Sequence, residues 1–346
     1  MLAGPQPQRK KGMRQQVALR RTVLRRLTTG VAAALAAGVG LTLRAQSTPR
    51  RLRILCGAPA GGTPDVIARI YAESLSRHYA DGVLVENRPG AGAQIGIAAL
   101  KHSTPDGASM LLAHGAVTTV YPKIYAKLAY DPVLDLTPVS LAGETAFAIG
   151  VGPLVPERVR ELEQFILWAR GHASDCSYGT PGIGTLPHLL GATLFRDSKV
   201  DAQHVVYSGG LMAVSDVLAG RLAAVVLPEG LLRAYRDAGR LRILATSGER
   251  RSRFTPDAPT LAEQGHPTVF KHEWFGFFMP RDVPPAIVEQ TSQSIQLASG
   301  TPQVLQALDE LAIEASASRP AAMEQRIAAE RRHWEHQIAK LGLRLE

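Results

Sequence analysis

Two segments of this chain share one layout, and they constrain its fold more than any other feature of the sequence. Residues 56–75 read CGAPAGGTPDVIARIYAESL, and residues 176–195 read CSYGTPGIGTLPHLLGATLF. Each segment has a short strand with a cysteine, then a loop of glycine and proline, a threonine placed to cap a helix, and an apolar helical pattern. The sequence thus predicts two strand–loop–helix units of the same kind, one in each part of the chain.

Strands and helices alternate through the rest of the sequence. This alternation, without a short repeat, predicts an α/β fold with a mainly parallel sheet. A helix starts after each glycine loop, at Thr63 and at Leu186, and the chain from Ala286 onward is mostly helical. The other elements that the patterns indicate are the strands Arg53–Cys56, Val83–Glu86, Met110–Ala113, Ala223–Leu227 and Leu241–Thr246, and the helix Leu231–Ala238.

The two glycine loops have the features of an anion-binding site. In a parallel α/β sheet such loops lie at the carboxyl ends of the strands, where ligands bind. A helix N-terminus presents free N–H groups and a partial positive charge, and glycine allows an anion to approach the backbone closely. Neither loop is a nucleotide-binding motif, because no lysine follows the glycines and Gly179, Gly182 and Gly184 have the wrong spacing.

Basic charge is concentrated at the N-terminus. Nine of the 39 Lys and Arg residues lie in residues 1–45, which contain no Asp or Glu, and the remaining 30 basic residues equal the 30 acidic ones. The body of the protein therefore has no excess of positive charge that would indicate a nucleic-acid partner.

Residues 1–45 read as an export signal. A basic stretch is followed by the apolar, Ala- and Gly-rich segment Leu27–Leu43 and by the small residue Ala45. The pair Arg20-Arg21 resembles a twin-arginine signal. We expect a signal peptide cleaved near Ala45 and an exported protein, with an uncleaved membrane anchor as the alternative.

The two cysteines, Cys56 and Cys176, lie in or beside short apolar runs. We expect them to be buried and unpaired. A disulfide is the alternative, because an exported protein meets an oxidising compartment.

The sequence contains no recognisable catalytic motif. HExxH, CxxC and GxSxG are absent. Thr63 and Thr185 have no base nearby in sequence, and His272-Glu273 is interpreted as structural. His188, in the first turn of the second helix, fits either a ligand contact or a core hydrogen bond. A binding protein without cofactor or metal is favoured, and a hydrolase using Thr185 or His188 is the alternative.

Several blocks carry a family resemblance, which runs in order through about residues 52–345. PAGGTPDVIAR (59–69), YGTPGIGTLPHL (178–189), VVYSGGLMAVSDVLAGR (205–221) and WFGFFMPRDVPPAIV (274–288) resemble the Bug family, the periplasmic receptors of tripartite tricarboxylate transporters. The resemblance implies a type II periplasmic-binding-protein fold, with two α/β lobes joined by a hinge with crossing strands. One lobe would be 51–145 plus 270–346, and the other 146–269.

The resemblance also implies a function and a set of partners. It implies a monomer that captures a small carboxylate between its lobes and delivers it to membrane permease subunits, or signals to a sensor kinase without transport. The ligand would be held by the two loops and by a tyrosine in the wall. Those positions are Gly61, Gly62, Thr63, Asp65, Gly182, Gly184, Thr185, His188 and Tyr207.

Three positions depart from the family pattern. The loop after strand Met110–Ala113, often rich in serine, reads His114-Gly115. Ser208 replaces a common lysine, and Leu227 stands where an aspartate usually ends a strand. Loss of a lysine and an aspartate implies a different far end of the ligand, less polar near Leu227 and with a polar contact from His114.

Overall fold

The computed structural model describes residues 51–342 and 344–345. The predicted signal peptide lies outside these residues. Within them, no helix is both long and apolar enough to cross a bilayer.

Strands and helices alternate as the sequence predicted, and the α/β class is confirmed. The strands are β1 (Leu52–Cys56), β2 (Val83–Asn87), β3 (Ser109–His114), β4 (Leu136–Val151), β5 (Ser177–Thr180), β6 (Gln203–Val206), β7 (Ala224–Pro228), β8 (Arg242–Thr246), β9 (His272–Pro280) and β10 (Glu314–Ala315). The helices are α1 (Thr63–His78), α2 (Gln94–Lys101), α3 (Ala116–Thr119), α4 (Tyr121–Ile124), α5 (Leu162–Gly171), α6 (Leu186–Asp197), α7 (Gly210–Leu218), α8 (Gly230–Asp237), α9 (Pro285–Ser299), α10 (Pro302–Glu310) and α11 (Pro320–Leu341). A single 3₁₀ turn, Ala91–Ala93, precedes α2.

The ten strands form one sheet in the order β2-β1-β3-β9-β4-β7-β5-β6, and β8 and β10 also pair with β4. Strands β1, β2 and β3 are parallel and form the first half of the sheet, and β5, β6 and β7 are parallel and form the second half. Every pairing of β4 or β9 is antiparallel. The expectation of a mainly parallel sheet is therefore wrong at the centre, because β4 and β9 run through it in opposite directions.

Strand β4 connects the two halves without a break. Its first part pairs with β9 from Leu136 to Ala146, and its last part pairs with β7 and β8 from Phe147 to Val151. The described residues group as one compact unit. The lobe boundaries, 51–145 plus 270–346 and 146–269, therefore stay a prediction, although β4 and β9 have the placement of crossing strands.

Helix α1 packs one apolar face on the first half of the sheet. Its residues Ile67, Tyr71 and Leu75 are spaced four apart and are at most 1% exposed, so one face packs on the sheet. Burying each such side chain contributes about 1.5–3 kcal/mol. The Tyr71 hydroxyl donates to the Ala142 carbonyl on β4 at 2.7 Å, which satisfies this buried hydroxyl group.

Both cysteines are buried and free, as the sequence predicted. Cys56 ends β1, Cys176 directly precedes β5, and neither is more than 1% exposed. Burial raises the pKa of each thiol to about 11.

Candidate functional site

The main cavity lies where strands of both halves end. Its volume is about 610 Å³. Residues at the ends of β1, β2, β3, β5, β6 and β7, or within two positions after them, contribute to its wall, so the carboxyl ends of six strands converge on one space. This is the edge at which open α/β sheets bind ligands. Of the residues predicted from sequence, those in the wall are Gly62, Thr63, His114, Gly182, Thr185 and Tyr207.

The first glycine loop brings the N-terminus of α1 to this cavity. The residue that caps α1 is Gly62, with extended backbone, rather than the predicted Thr63, which is already the first helical residue. Pro64 follows and has no N–H to satisfy. The N–H groups of Thr63 and Asp65 have no backbone or side-chain acceptor among the described residues, so this helix end can bind an anion.

Asp65 lies behind the cavity wall and holds the first loop in place. Its side chain is 2% exposed. It accepts hydrogen bonds from the Gly61 N–H at 2.9 Å, from Arg69 Nε at 3.0 Å and from Asn87 Nδ2 at 2.8 Å. Burial raises the pKa of this carboxyl group, but the bonds from Arg69, Gly61 and Asn87 outweigh it and lower the pKa below the ordinary value. Gly61 and Asp65 therefore support the site rather than line it.

The second glycine loop is built differently but reaches the same cavity. Thr185 caps α6, as predicted, and its hydroxyl donates to the Gly182 carbonyl at 2.8 Å. Gly184 lies behind the wall with φ of +74°, and a Cβ there would come within 2.7 Å of Tyr125 Oη. Tyr125, which comes from the first half of the chain, donates its hydroxyl to the Ile183 carbonyl at 2.9 Å. A residue of the first half thus contacts the second glycine loop directly.

His188 also lies behind the wall, and its contacts decide between the two roles that the sequence left open. Its Nδ1 accepts a hydrogen bond from the Gly184 N–H at 3.1 Å. Its ring stacks on His204 with centroids 4.1 Å apart. Burial lowers the pKa of His188, which favours the neutral ring that this bond requires. His188 is therefore a positioning residue for the second loop.

Two substitutions separate the contributions of this histidine. His188→Phe keeps a ring for stacking but leaves the Gly184 N–H without its acceptor, and we expect it to weaken anion binding at the second loop about tenfold. His188→Asn loses the stacking but offers an amide oxygen close to the position of Nδ1, so its affinity should stay within about threefold of the original. Isothermal titration of the two variants measures this difference, and equal losses in both would show that the acceptor is unimportant.

A third loop, residues 89–93, also lines the cavity, and the sequence interpretation did not include it in the site. Four consecutive residues, Gly90 to Ala93, have positive φ, two of them alanines. A Cβ on Gly92 would lie 2.5 Å from the Tyr121 hydroxyl, so only glycine fits there. The repeated Gly-Ala pattern is the signal for this loop, since strained backbone often lies at ligand sites.

The wall from the second half is less polar than the family pattern implies. Tyr207 lines the cavity, but its hydroxyl donates to Asp216 at 2.7 Å; burial and this bond raise the pKa of Tyr207 to about 12. Ser208 also lines the cavity. Leu227 is fully buried in the core and does not reach the ligand space; the residue at that place in the wall is Pro228.

His114 and Glu273 form the one acid–imidazole contact in the described wall. His114 ends β3 and Glu273 is the second residue of β9; they are 8% and 6% exposed. His114 Nδ1 lies 3.8 Å from Glu273 Oε1 and has no hydrogen-bond partner. Burial lowers the pKa of His114 to about 4 and raises the pKa of Glu273 to about 8. Glu273 was missed in the sequence, because nothing local distinguishes it from a structural residue.

No Lys or Arg lies among the described residues of this wall. Across the same described residues, no cluster of three His, Cys, Asp or Glu side chains could hold a metal ion. Attraction for an anion must therefore come from backbone N–H groups and helix ends.

Comparisons with known proteins agree with this architecture. Residues 67–343 match the family described as "Tripartite tricarboxylate transporter family receptor". A UPF0065 protein from the tcbD-tcbE intergenic region of Pseudomonas sp. (strain P51) is 30% identical over 322 residues, 92% of this chain and 95% of that protein.

Two solved structures share the fold. The periplasmic binding protein BugD is 24% identical, with a TM-score of 0.78 over 86% of this chain and 99% of that one. An R. palustris protein solved with adipate is 25% identical, with a TM-score of 0.79 over 85% and 98% of the two chains. The predicted periplasmic-binding-protein fold is confirmed. The chain belongs to the receptor family of tripartite tricarboxylate transporters, the Bug family that its sequence blocks resemble.

Proposed function

We propose that this protein captures a small carboxylate in the cavity between its two lobes and delivers it to the permease subunits of a tripartite tricarboxylate transporter. The observation that carries this proposal is the convergence of two helix N-termini, at Thr63 and Thr185, on one cavity without a cationic side chain among its described residues. Such a site suits a carboxylate, which accepts hydrogen bonds from backbone N–H groups. The similar protein solved with adipate supports the same ligand class.

The remaining parts of the proposal rest on the family and on the sequence. The protein acts in the periplasm after cleavage of the signal peptide near Ala45, as a monomer and without catalysis. Lobe closure on the ligand would present the closed form to the permease. The two residues that a hydrolase would need are already engaged, because the Thr185 hydroxyl donates to a carbonyl and His188 Nδ1 accepts from Gly184. A receptor that signals to a sensor kinase has the same site and differs only in its partner.

A titration of the purified protein with a panel of mono- and dicarboxylates tests the proposal. At a free concentration of one hundred times its dissociation constant, a ligand should stabilise the protein by about 2.7 kcal/mol. This corresponds to a rise in melting temperature of roughly 5 °C or more. Native mass spectrometry should find one unmodified acid per chain. A folded protein whose melting temperature responds to none of the acids, or which converts a bound acid to product, would refute it.

A further inference from the structure

His114 and Glu273, here called the acid–histidine pair, also lie in the cavity wall, and the proposed carboxylate site does not use them. Each residue is more than nine-tenths buried and borders the ligand space. They come from β3 and β9, which pair with each other through His114 and Phe275. At 3.8 Å, the nearest nitrogen and oxygen of the pair are too far apart for a hydrogen bond. No polar group among the described residues bridges them.

The chemistry of the two groups defines what that atom must offer. Because burial opposes charge on both, His114 is neutral and Glu273 is protonated near pH 7. A neutral imidazole has one N–H donor and one acceptor nitrogen, and Nδ1 is the His114 nitrogen within 3.8 Å of Glu273 and has no partner. We assign the proton to Nε2, which leaves Nδ1 as the acceptor. The pair then presents one acceptor, His114 Nδ1, and one donor, the Glu273 carboxylic acid.

We propose that the acid–histidine pair selects a monocarboxylate whose uncharged body carries a hydroxyl group, with the hydroxyl held between His114 Nδ1 and the Glu273 carboxyl group. A hydroxyl can donate to Nδ1 and accept from the acid at once, which neither a methyl group nor a carboxylate can do. This inference rests on the proposed function, because the carboxylate of the ligand is assigned to the two helix ends.

The rest of the wall supports the same class of ligand. Apolar residues from both halves line the cavity, among them Pro89, Pro181, Val206, Leu231 and Phe275. These surfaces suit an aliphatic or aromatic body. A second carboxylate would meet no cation among the described wall residues, and a buried, unpaired charge is costly. The pair thus favours a hydroxy acid over the corresponding diacid.

Two matched series of acids test the selection with the purified protein at pH 7. The first is hexanoate, 6-hydroxyhexanoate and adipate, and the second is benzoate, 4-hydroxybenzoate and terephthalate. In at least one series, we expect the hydroxy acid to bind about tenfold or more tightly than both its unsubstituted and its dicarboxylate partner. A diacid that binds most tightly in both series, or equal binding of hydroxy and unsubstituted acids, would overturn the inference while leaving carboxylate capture intact. Failure of every acid to bind would refute the proposed function itself.

Variants of the acid–histidine pair test whether these two residues cause the preference for the hydroxy acid. The measured quantity is the ratio of the dissociation constants of the unsubstituted and the hydroxy acid within each variant, so a general loss of affinity cancels. His114→Phe and Glu273→Leu should reduce this ratio to about one. Glu273→Gln keeps a hydrogen-bond donor in the same place and should retain most of the ratio that the original protein shows. A ratio that His114→Phe and Glu273→Leu leave unchanged would exclude the pair as the selecting group.

The pH dependence of this preference gives a second test, because a purely structural role of Glu273 would not make the preference depend on pH. For 6-hydroxyhexanoate, whose hydroxyl does not titrate, the preference should fall several-fold above pH 8 as Glu273 loses its proton, and Glu273→Gln should abolish this fall. The other titratable groups that line the cavity or face Glu273 are His114, Tyr121, Tyr125 and Tyr207. The pKa of His114 lies near 4 and those of the three tyrosines are raised above 10, so none of them titrates between pH 6 and 9. An identical pH profile in the original protein and in Glu273→Gln would contradict the inference.

Discussion

Glu273→Gln is expected to make the protein more stable, and the gain should grow with pH. Folding raises the pKa of Glu273 from its ordinary value of 4.5 to about 8, because burial disfavours the carboxylate. Between these values the folded state holds a proton that the unfolded state has released, so stability falls as pH rises. The contribution of Glu273 is thus fully favourable below pH 4.5 and is lost progressively up to pH 8. Glutamine has no proton to lose and removes this dependence.

The size of this effect follows from the width of the pH window. One pKa unit corresponds to about 1.4 kcal/mol, so the gain in unfolding free energy should be roughly 3 kcal/mol larger at pH 8 than at pH 5. Urea denaturation at the two pH values measures it. Glu324→Gln, at an exposed position on α11, is the matched control and should change stability by less than about 0.5 kcal/mol at either pH. Parallel stability curves for the original protein and Glu273→Gln would show that Glu273 does not retain its proton.

Asp65→Ala is expected to cause the largest loss of both stability and affinity. The substitution leaves the Gly61 N–H without its acceptor, and it removes one of the acceptors of Asn87 Nδ2 and the carboxylate partner of Arg69. Losing a buried, charged acceptor of several bonds should cost about 3 kcal/mol. Because the loop from Gly61 to Thr63 then loses its support, carboxylate affinity should fall at least tenfold. Denaturation and titration at pH 7 measure both quantities.

The same helix supplies a matched control. Glu73 and Arg77 form an ion pair with the same spacing as Asp65 and Arg69, but both side chains are more than half exposed. Glu73→Ala should therefore cost no more than about 0.5 kcal/mol and leave affinity unchanged. Since the pKa of Asp65 is lowered by folding, its contribution is present above pH 3.8 and is lost as pH falls below that value. Equal losses of stability and affinity in Asp65→Ala and Glu73→Ala at pH 7 would show that Asp65 does not support the loop.

The local features of this fold could be predicted from the sequence, and the long-range ones could not. Helix starts depend on residues within one turn, so the proline-led helices at Thr63 and Leu186 were found, with an error of one residue for the cap at Gly62. Which predicted residues line the cavity depends on side-chain direction. That is why Asp65 and His188, although in the right loops, proved to lie behind the wall.

The acid–histidine pair shows where sequence reasoning ends. Glu273 reaches the cavity because β9 returns antiparallel between β3 and β4, and the sequence patterns predicted a mainly parallel sheet. Its proton depends on burial by segments far apart in the chain. Leu227 illustrates the opposite error, since a departure from a family pattern pointed to a position that lies in the core.

The two buried thiols make this receptor suitable for conversion into an optical sensor. Cys56 and Cys176 are the only cysteines in the chain, both are inaccessible, and a pKa of about 11 keeps them protonated at neutral pH. Maleimide reagents, which need an accessible thiolate, should therefore leave them unmodified. A cysteine introduced for Met212, which is 57% exposed and contacts the wall residue Ser208, would carry a fluorophore at the rim of the cavity without background labelling.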